Sequence, residues 1–474
     1  MTNAADSTTT YDLLILGGGS GGYAAALRAA VLGMSVGLVE KDKLGGTCLH
    51  RGCIPTKALL HAAEVADSAR EGEQFGVRTT LEGVDMGGVN KYKDGVVDRL
   101  FKGLQGQIKS RGITVIEGEG RLTSPTTVAV NGTTYTGKNV IIASGSYSRS
   151  LPGLEIDGNR VIASEHALTL DRVPESAVVL GGGVIGVEFA SAWTSFGTKV
   201  TIIEALPRLV PAEDADCSKT LERAFRKRKI NFKTGTSFES VDTHDNGVRV
   251  TVAGGEVIEA ELLLVAVGRG PNTSGLGYDE VGVALDRGFV TVDEHLQTSV
   301  PGVYAVGDIV PGLQLAHRGF QQGIFVAEHI AGLNPAPIDE ARHPPRHLLR
   351  ARGRLRRADR GAGESEVRRG RDPELQPRRQ RQEPDPEDPG LREAGPGQGR
   401  RRGRPAHGRL PGRRTDRRGA ADLQLGGVPG RRRAAGARPP DPERGTRRGA
   451  PRAGRKAFAL PRVSLPVLGQ AGSL

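Results

Sequence analysis

The composition of the chain changes abruptly near residue 341, and that break limits what each side can fold into. Residues 341–474 hold 34 Arg against a single Lys, with 17 Pro and 21 Gly, and their only aromatic is Phe458. They contain no Ile, Tyr, Trp, Cys, Asn or Met. Their 35 basic and 14 acidic residues give a net charge of +21, which leaves residues 1–340 with 31 basic and 40 acidic residues, a net −9. The whole-chain value of +12 therefore describes neither part. A stretch so poor in large apolar side chains and so charged cannot bury enough surface to offset its ordering entropy, and it is expected to be a disordered Arg/Pro/Gly-rich tail. Residues 1–340 mix Lys with Arg, are rich in Val and Ile, and are long enough for two cores.

All three cysteines precede residue 341, too few for a disulfide framework. Two of them, spaced C-x4-C close to a glycine-rich motif, point instead to redox chemistry in a reducing compartment, so the expected location is cytoplasmic. No apolar run is long enough to span a bilayer. The polar first ten residues lack the basic and apolar regions of a signal peptide.

Residues 11–16 form a short apolar run of buried-strand type, followed by Gly17, Gly19 and Gly22 in a GxGxxG pattern. An Ala-rich helix is expected over 23–32 and a second strand over 36–39, ending at Glu40. GxGxxG alone is weak, but between strand and helix, with an acid 18 residues on, it indicates a dinucleotide-binding fold. Gly17 allows the tight turn, Gly19 lets backbone approach a pyrophosphate, and Gly22 lets helix pack on strand. The helix N-terminus then faces the phosphate charge, and Glu40 accepts hydrogen bonds from an adenosine ribose.

Directly afterwards stands GGTCLHRGCIPTK, which places Cys48 and Cys53 five residues apart at a helix start. Two cysteines and His50 do not complete a zinc site, and no metal is expected. A thiol at a helix N-terminus beside a cation has a lowered pKa and attacks as thiolate. The residues alone leave open a pair of buried structural thiols. The third cysteine, Cys217, lies in an acidic helical stretch and reads as an ordinary surface or packed thiol.

The segment GGTCLHRGCIPTK resembles the redox-active segment of the FAD-dependent pyridine nucleotide–disulfide oxidoreductases, and lies nearest the dihydrolipoamide dehydrogenases among them. The resemblance runs from about residue 10 to 340. It implies that Cys48 and Cys53 form a redox disulfide, Cys48 exchanging with a dithiol substrate and Cys53 making the charge-transfer contact with the flavin. Lys57 would sit near flavin N5.

The strand–GxGxxG–helix pattern recurs as Gly181, Gly183 and Gly186 followed by Glu188, with a strand over 199–203 ending at Glu204. An acid there favours NAD, because it repels a 2′-phosphate. Arg208, four residues on, leaves an NADP site open. By the resemblance Glu188 pairs with Lys57; read without it, Glu188 is a helix-face carboxylate. Residues 140–146 resemble the family's crossover out of the flavin domain, with Ser144 and Gly145. Residues 265–272 resemble the return, with Gly268, and residues 304–308 the second flavin motif, whose Asp308 bonds the ribityl chain. Leu315, Ala316 and His317 would begin the helix against the flavin O2 side, His317 as a packing residue.

The expected architecture is α/β, with two doubly wound Rossmann-like nucleotide-binding domains. Residues 1–150 and 272–340 form the FAD domain and 151–271 the NAD domain. The implied activity is oxidation of protein-bound dihydrolipoamide through the cysteine disulfide and FAD to NAD. The implied partners are lipoyl domains of 2-oxo acid dehydrogenase or glycine cleavage complexes. Alternatives are a glutathione- or mercuric-type reductase, or an inactive flavoprotein with a nucleic-acid-binding arm.

The family continues with an α+β interface domain that makes the homodimer and supplies a His–Glu pair, and residues 341–474 do not resemble it. Read one base later with a choice of permitted synonyms, residues 342–360, 422–429 and 438–455 can encode segments resembling that domain in order, the last with His-Pro-Thr-x-x-Glu. We therefore expect a frameshift near residue 341, an impaired chain without the family dimer, and only nonspecific binding of nucleic acid by the tail.

Overall fold

The computed structural model describes residues 10–338. The expectations for residues 341–474 lie outside the described residues.

The described residues contain eight α-helices: α1 (Ser20–Val31), α2 (Gly46–His50), α3 (Cys53–Glu71), α4 (Met86–Ser110), α5 (Ser164–Ala167), α6 (Val184–Phe196), α7 (Ala215–Lys227) and α8 (Ala316–Ile330). The strand Thr10–Leu16 pairs in parallel with Val36–Glu40 on one side and Thr133–Ile142 on the other. Leu13, Leu14 and Ile15 are fully buried on both faces, the pattern of a parallel strand covered by two layers. Thr114–Glu117 extends the sheet beyond Val36–Glu40. The strand Thr133–Ile142 changes partners along its length. Its first half continues an antiparallel meander with Thr127–Val130, and its second half receives Val303–Ala305 in parallel, Ala305 opposite Ile142. The chain thus returns to the first sheet after more than 150 residues.

The second sheet is wholly parallel, in the order Asn231–Thr234, Lys199–Glu204, Ser176–Leu180, Leu262–Val265, Val161–Ile162. A three-stranded antiparallel meander over Phe238–His244, Gly247–Val252 and Glu256–Ala260 accompanies it. Between the two sheets, Ser146–Ser148 pairs antiparallel with Arg269–Pro271, so the outgoing and returning segments are hydrogen-bonded to each other. The fold is the α/β architecture of two doubly wound nucleotide-binding units expected from the glycine motifs.

Helix α1 begins at Ser20, three residues earlier than the sequence suggests, because Gly19 occupies the N-cap position and Gly21 and Gly22 lie in the first turn. Those glycines serve packing. A Cβ on Gly22 would lie 1.8 Å from the Gly17 carbonyl oxygen, and one on Gly323 of α8 would lie 2.2 Å from the Gly21 oxygen. Helices α1 and α8 therefore touch backbone to backbone over the first sheet. Helix α4 also carries glycines, but those at Gly103 and Gly106 are exposed and have no heavy atom within 4 Å of a built Cβ.

These glycines predict opposite responses to one methyl group. Gly103→Ala should stabilise the protein by about 0.5–1 kcal/mol, the backbone entropy returned to an exposed helix position. Gly323→Ala should cost about 1–3 kcal/mol through overpacking at the α1–α8 contact. Denaturant unfolding of the two variants beside the parent measures both.

Candidate active site

The two glycine turns are built alike. Gly17 and Gly181 share φ of +111°, and a Cβ on either would stand 2.3 Å from a carbonyl oxygen, of Ala143 and Ala266 respectively. The acid closing each second strand secures the turn. Glu40 accepts the amides of Gly18 at 2.7 Å and Asp42 at 2.9 Å. Glu204, buried, accepts those of Gly182 at 2.6 Å and Leu206 at 2.8 Å. Burial pushes the Glu40 carboxyl above its ordinary value, against the pull of the Gly18 amide.

Packing also explains two glycines that the GxGxxG reading passes over as variable positions. A Cβ on Gly18 would meet Leu44 at 2.8 Å, and one on Gly182 would meet Leu209 at 2.6 Å. The run of glycines was the available signal. At Gly19 and Gly183 the situation is reversed. A Cβ on Gly19 would find only Gly46 Cα at 4.0 Å, and one on Gly183 nothing within 4 Å. Protein packing does not require glycine at these two N-caps. Each leaves open space at the start of a helix with no side-chain cap, which fits a phosphate approaching the backbone amides.

Beside the first turn lies a cavity of about 530 Å³ lined by Gly17, Gly19, Glu40, Ser144, Gly145 and Arg269, among others. Its lining suits a dinucleotide: open backbone at the glycines, an acid at one strand end, and hydroxyls along the crossover. A wider cleft of about 720 Å³ lies away from this chemistry between Arg160, Arg172, His244 and Glu261. Arg172 there is already bonded to Glu261.

Where the sequence suggests one helix start for both cysteines, the chain forms two helices. Left-handed Gly45 and Gly46 turn the chain into α2, which carries Cys48, and Cys53 opens α3. Cys48 is half-buried and Cys53 exposed. The Cys48 thiol donates to the Cys53 sulfur, the main reason that Cys53 falls from the ordinary 9.0 to about 7. Desolvation opposes that fall, and the Lys57 charge assists it. The same bond, with burial, holds the Cys48 thiol far above its usual range. His50 is engaged elsewhere, bonding the Leu44 carbonyl at 2.9 Å. No cluster of three or more His, Cys, Asp or Glu suited to a metal occurs among the described residues.

Lys57, one turn into α3, reaches both oxygens of Glu188 on α6, at 2.7 and 2.9 Å. The carboxylate is almost wholly buried and the lysine side chain 30 % exposed. Gly181, Gly183, Gly186 and Glu204 gather at the turn of the second sheet, and Gly268, with φ of +114°, follows its strand Leu262–Val265. Arg208, left open above as a 2′-phosphate ligand, donates to the Pro211 and Glu213 carbonyls at 2.9 Å each. Cys217 sits on α7, where burial and neighbouring acids, Asp214 foremost, raise its thiol.

Ser144 donates to the Asn272 carbonyl at 2.6 Å and accepts from the fully buried Tyr278 hydroxyl at 2.9 Å. Asp308 accepts from Ser146 at 2.5 Å. Ala316 begins α8, with His317 half-buried behind it. The sequence gives no sign of Arg269's partners. This guanidinium donates to the Ser146 hydroxyl and carbonyl, both at 2.7 Å, and to Ser148 at 3.3 Å.

Two nucleotide-binding turns and a thiol pair poised for exchange define a dinucleotide-dependent thiol–disulfide oxidoreductase. The family profile described as pyridine nucleotide-disulphide oxidoreductase matches residues 11–323, and the chain belongs to that family. It is 44% identical over 355 residues to dihydrolipoyl dehydrogenase of Bacillus subtilis (strain 168), covering 70% of this chain and 74% of that protein. It is 40% identical over 341 residues to the mitochondrial dihydrolipoyl dehydrogenase of Pisum sativum, covering 69% and 68%. The crystal structure of LpdA from Mycobacterium tuberculosis is similar at a TM-score of 0.68 and 30% identity, covering 72% of this chain and 77% of that one.

The Cys53 environment predicts a pH profile. Its thiolate forms as pH rises through about 7, so alkylation of the reduced protein should accelerate through that range and then level off. Cys48→Ala removes the donated hydrogen bond and should move the midpoint up, towards the ordinary 9.0. Iodoacetamide labelling followed by peptide mass spectrometry reads both, and a midpoint unmoved by Cys48→Ala would contradict the hydrogen-bonded pair.

Proposed function

We propose that the chain is an FAD-dependent dihydrolipoamide dehydrogenase that passes electrons from a dithiol, through Cys48 and Cys53, to NAD. The observation that carries this reading is the asymmetric thiol pair. One thiol lies on α2 and the other opens α3, one turn before Lys57, which is bonded to both oxygens of Glu188 in the second nucleotide unit. The dihydrolipoyl dehydrogenases among its relatives favour the lipoamide substrate over the glutathione and mercuric alternatives.

In this reading Cys48 exchanges with the substrate dithiol, and Cys53 would be the thiolate that meets the flavin. Lys57 holds positive charge beside it, and Glu188 fixes that lysine. Gly17, Gly19 and Gly22 admit the FAD pyrophosphate, with Glu40 at the ribose, Ser144, Gly145 and Asp308 along the crossover, and Ala316 at the start of α8. Gly181, Gly183 and Gly186, with Glu204 and Gly268, bind NAD, with Arg208 bonded to backbone carbonyls of its own loop. FAD supplies the two-electron carrier between dithiol and nicotinamide. The domain limits proposed are 1–150 with 272–340 for FAD and 151–271 for NAD.

The partners we propose are lipoyl domains of 2-oxo acid dehydrogenase or glycine cleavage complexes. Among the described residues no helix is long and apolar enough to cross a membrane. We place the chain in a reducing, cytoplasmic setting, where a reactive rather than structural cysteine pair belongs.

The test is flavin reduction in the purified full chain supplied with FAD. NADH should reduce the flavin about tenfold faster than NADPH, the scale of one like-charge contact at Glu204. Dihydrolipoamide should also reduce it, and Cys53→Ser should abolish reduction by the dithiol while leaving reduction by NADH. A chain that binds no flavin, or in which the dithiol works without Cys53, would overturn the proposal.

A further inference from the structure

The polar contacts at the crossover extend beyond the residues that the family pattern marks. Asp308 accepts from the Ser146 hydroxyl at 2.5 Å, and that hydroxyl in turn receives Arg269 Nε at 2.7 Å. On its other side Arg269 Nη1 reaches the Ser148 hydroxyl at 3.3 Å, and Ser148 donates to Glu165 Oε2 at 2.9 Å. Ser164 donates to the same oxygen at 3.2 Å. One guanidinium therefore lies between two carboxylates, each reached through a serine hydroxyl. Asp308 belongs to the turn Gly307–Ile309, which follows a strand of the first sheet, and Glu165 to α5, which follows a strand of the second. Ser146, Ser148, Glu165 and Arg269 all line the 530 Å³ cavity.

Glu165 is ionised in this setting. Burial works against its charge, but its own amide, the two serine hydroxyls and Arg269 outweigh that, and its carboxyl lies below the ordinary value. Arg269 is desolvated, and the charges of Asp308 and Glu165 support it. The cavity wall thus carries one cation whose field two anions divide. Removing either anion strengthens the cation's effect on anything bound beside it.

We infer that Glu165 is a positioning residue: by sharing Arg269 with Asp308 it limits the positive charge presented to the cavity and so sets the redox balance of the flavin bound there. The inference rests on the cofactor reading proposed above. Electron uptake makes a flavin more negative, so an unshared cation favours the reduced form and a neutralised one the oxidised form. Glu165→Gln keeps the size and the acceptor for Ser148 but removes the charge. Arg269→Gln removes the cation. The two substitutions should move the balance in opposite directions, which general loosening of the pocket cannot do.

The experiment is equilibration of the flavin-loaded full chain with a redox dye, in a Cys48→Ser, Cys53→Ser background so that the flavin titrates alone. At one dye ratio, Glu165→Gln should raise the reduced-to-oxidised flavin ratio about threefold and Arg269→Gln lower it about threefold, the effect of a partly screened unit charge. Glu165→Asp, which keeps the charge, should stay within about twofold of the parent. Should Arg269→Gln fail to fold, the two Glu165 variants decide. Flavin bound without a shift in Glu165→Gln, or shifts of the same sign in Glu165→Gln and Arg269→Gln, overturn this inference alone. A parent that takes up no flavin overturns the cofactor reading and this inference with it.

Discussion

The seating of helix α3 against helix α6 is the contact on which the rest of the site depends. Leu59, Leu60, Ala63 and Ala66 of α3 share a core with Val187, Phe189, Trp193 and Phe196 of α6. Along the edge of that core run two polar ties. Lys57 meets Glu188 near the start of both helices, and further on Ser195 donates to Asp67 at 2.8 Å while Arg228 donates to Ser191 and Ser195. Apolar packing tolerates some sliding, but a buried carboxylate without its cation costs several kcal/mol. Glu188 therefore fixes the register of α3, and with it the placement of Cys53 at the first residue of that helix.

The same economy appears in the glycine turns, where one acid does two things. Glu40 and Glu204 each bind two backbone amides, so both carboxylates are structural before any ribose arrives. In the proposed cofactor reading, ribose recognition falls to the remaining lone pairs. The preference for NAD proposed above rests on the charge of Glu204 and on the bonds of Arg208 to its own loop.

What could be read in the sequence was whatever a residue type dictates locally. Gly17 and Gly181 announce a left-handed turn against a carbonyl, and both turns lie where the strand–helix pattern put them. The cysteine pair and Lys57 lie within ten residues of one another, and their chemistry follows from that proximity. The split of the cysteines between α2 and α3 was not legible, because left-handed Gly45 and Gly46 resemble any other flexible pair. The backbone contact of Gly21 with Gly323 joins positions about three hundred residues apart, and neither glycine has a local signature. Arg269 stood in a motif without a role, and Glu165 in none. Their meaning comes from Ser146 and Ser148, which only the antiparallel pairing with Arg269–Pro271 brings alongside.

That pairing also explains how a site assembled from distant segments stays together. The chain leaves the first sheet at Ile142 and rejoins it at Val303, and the second sheet lies in between. Closing so long an excursion adds little more entropy cost than closing a short one, since the penalty grows only with the logarithm of loop length. The contacts at the closure therefore hold it without being extensive: three residue pairs between Ser146–Ser148 and Arg269–Pro271, the bonds of Ser144 to Asn272 and Tyr278, and the Arg269 network. Because Asp308, Arg269 and Glu165 come from three separate passes of the chain, their charges meet only when both excursions have returned. The electrostatics of the cavity wall are thus a property of the completed fold, and no single nucleotide-binding unit contains them.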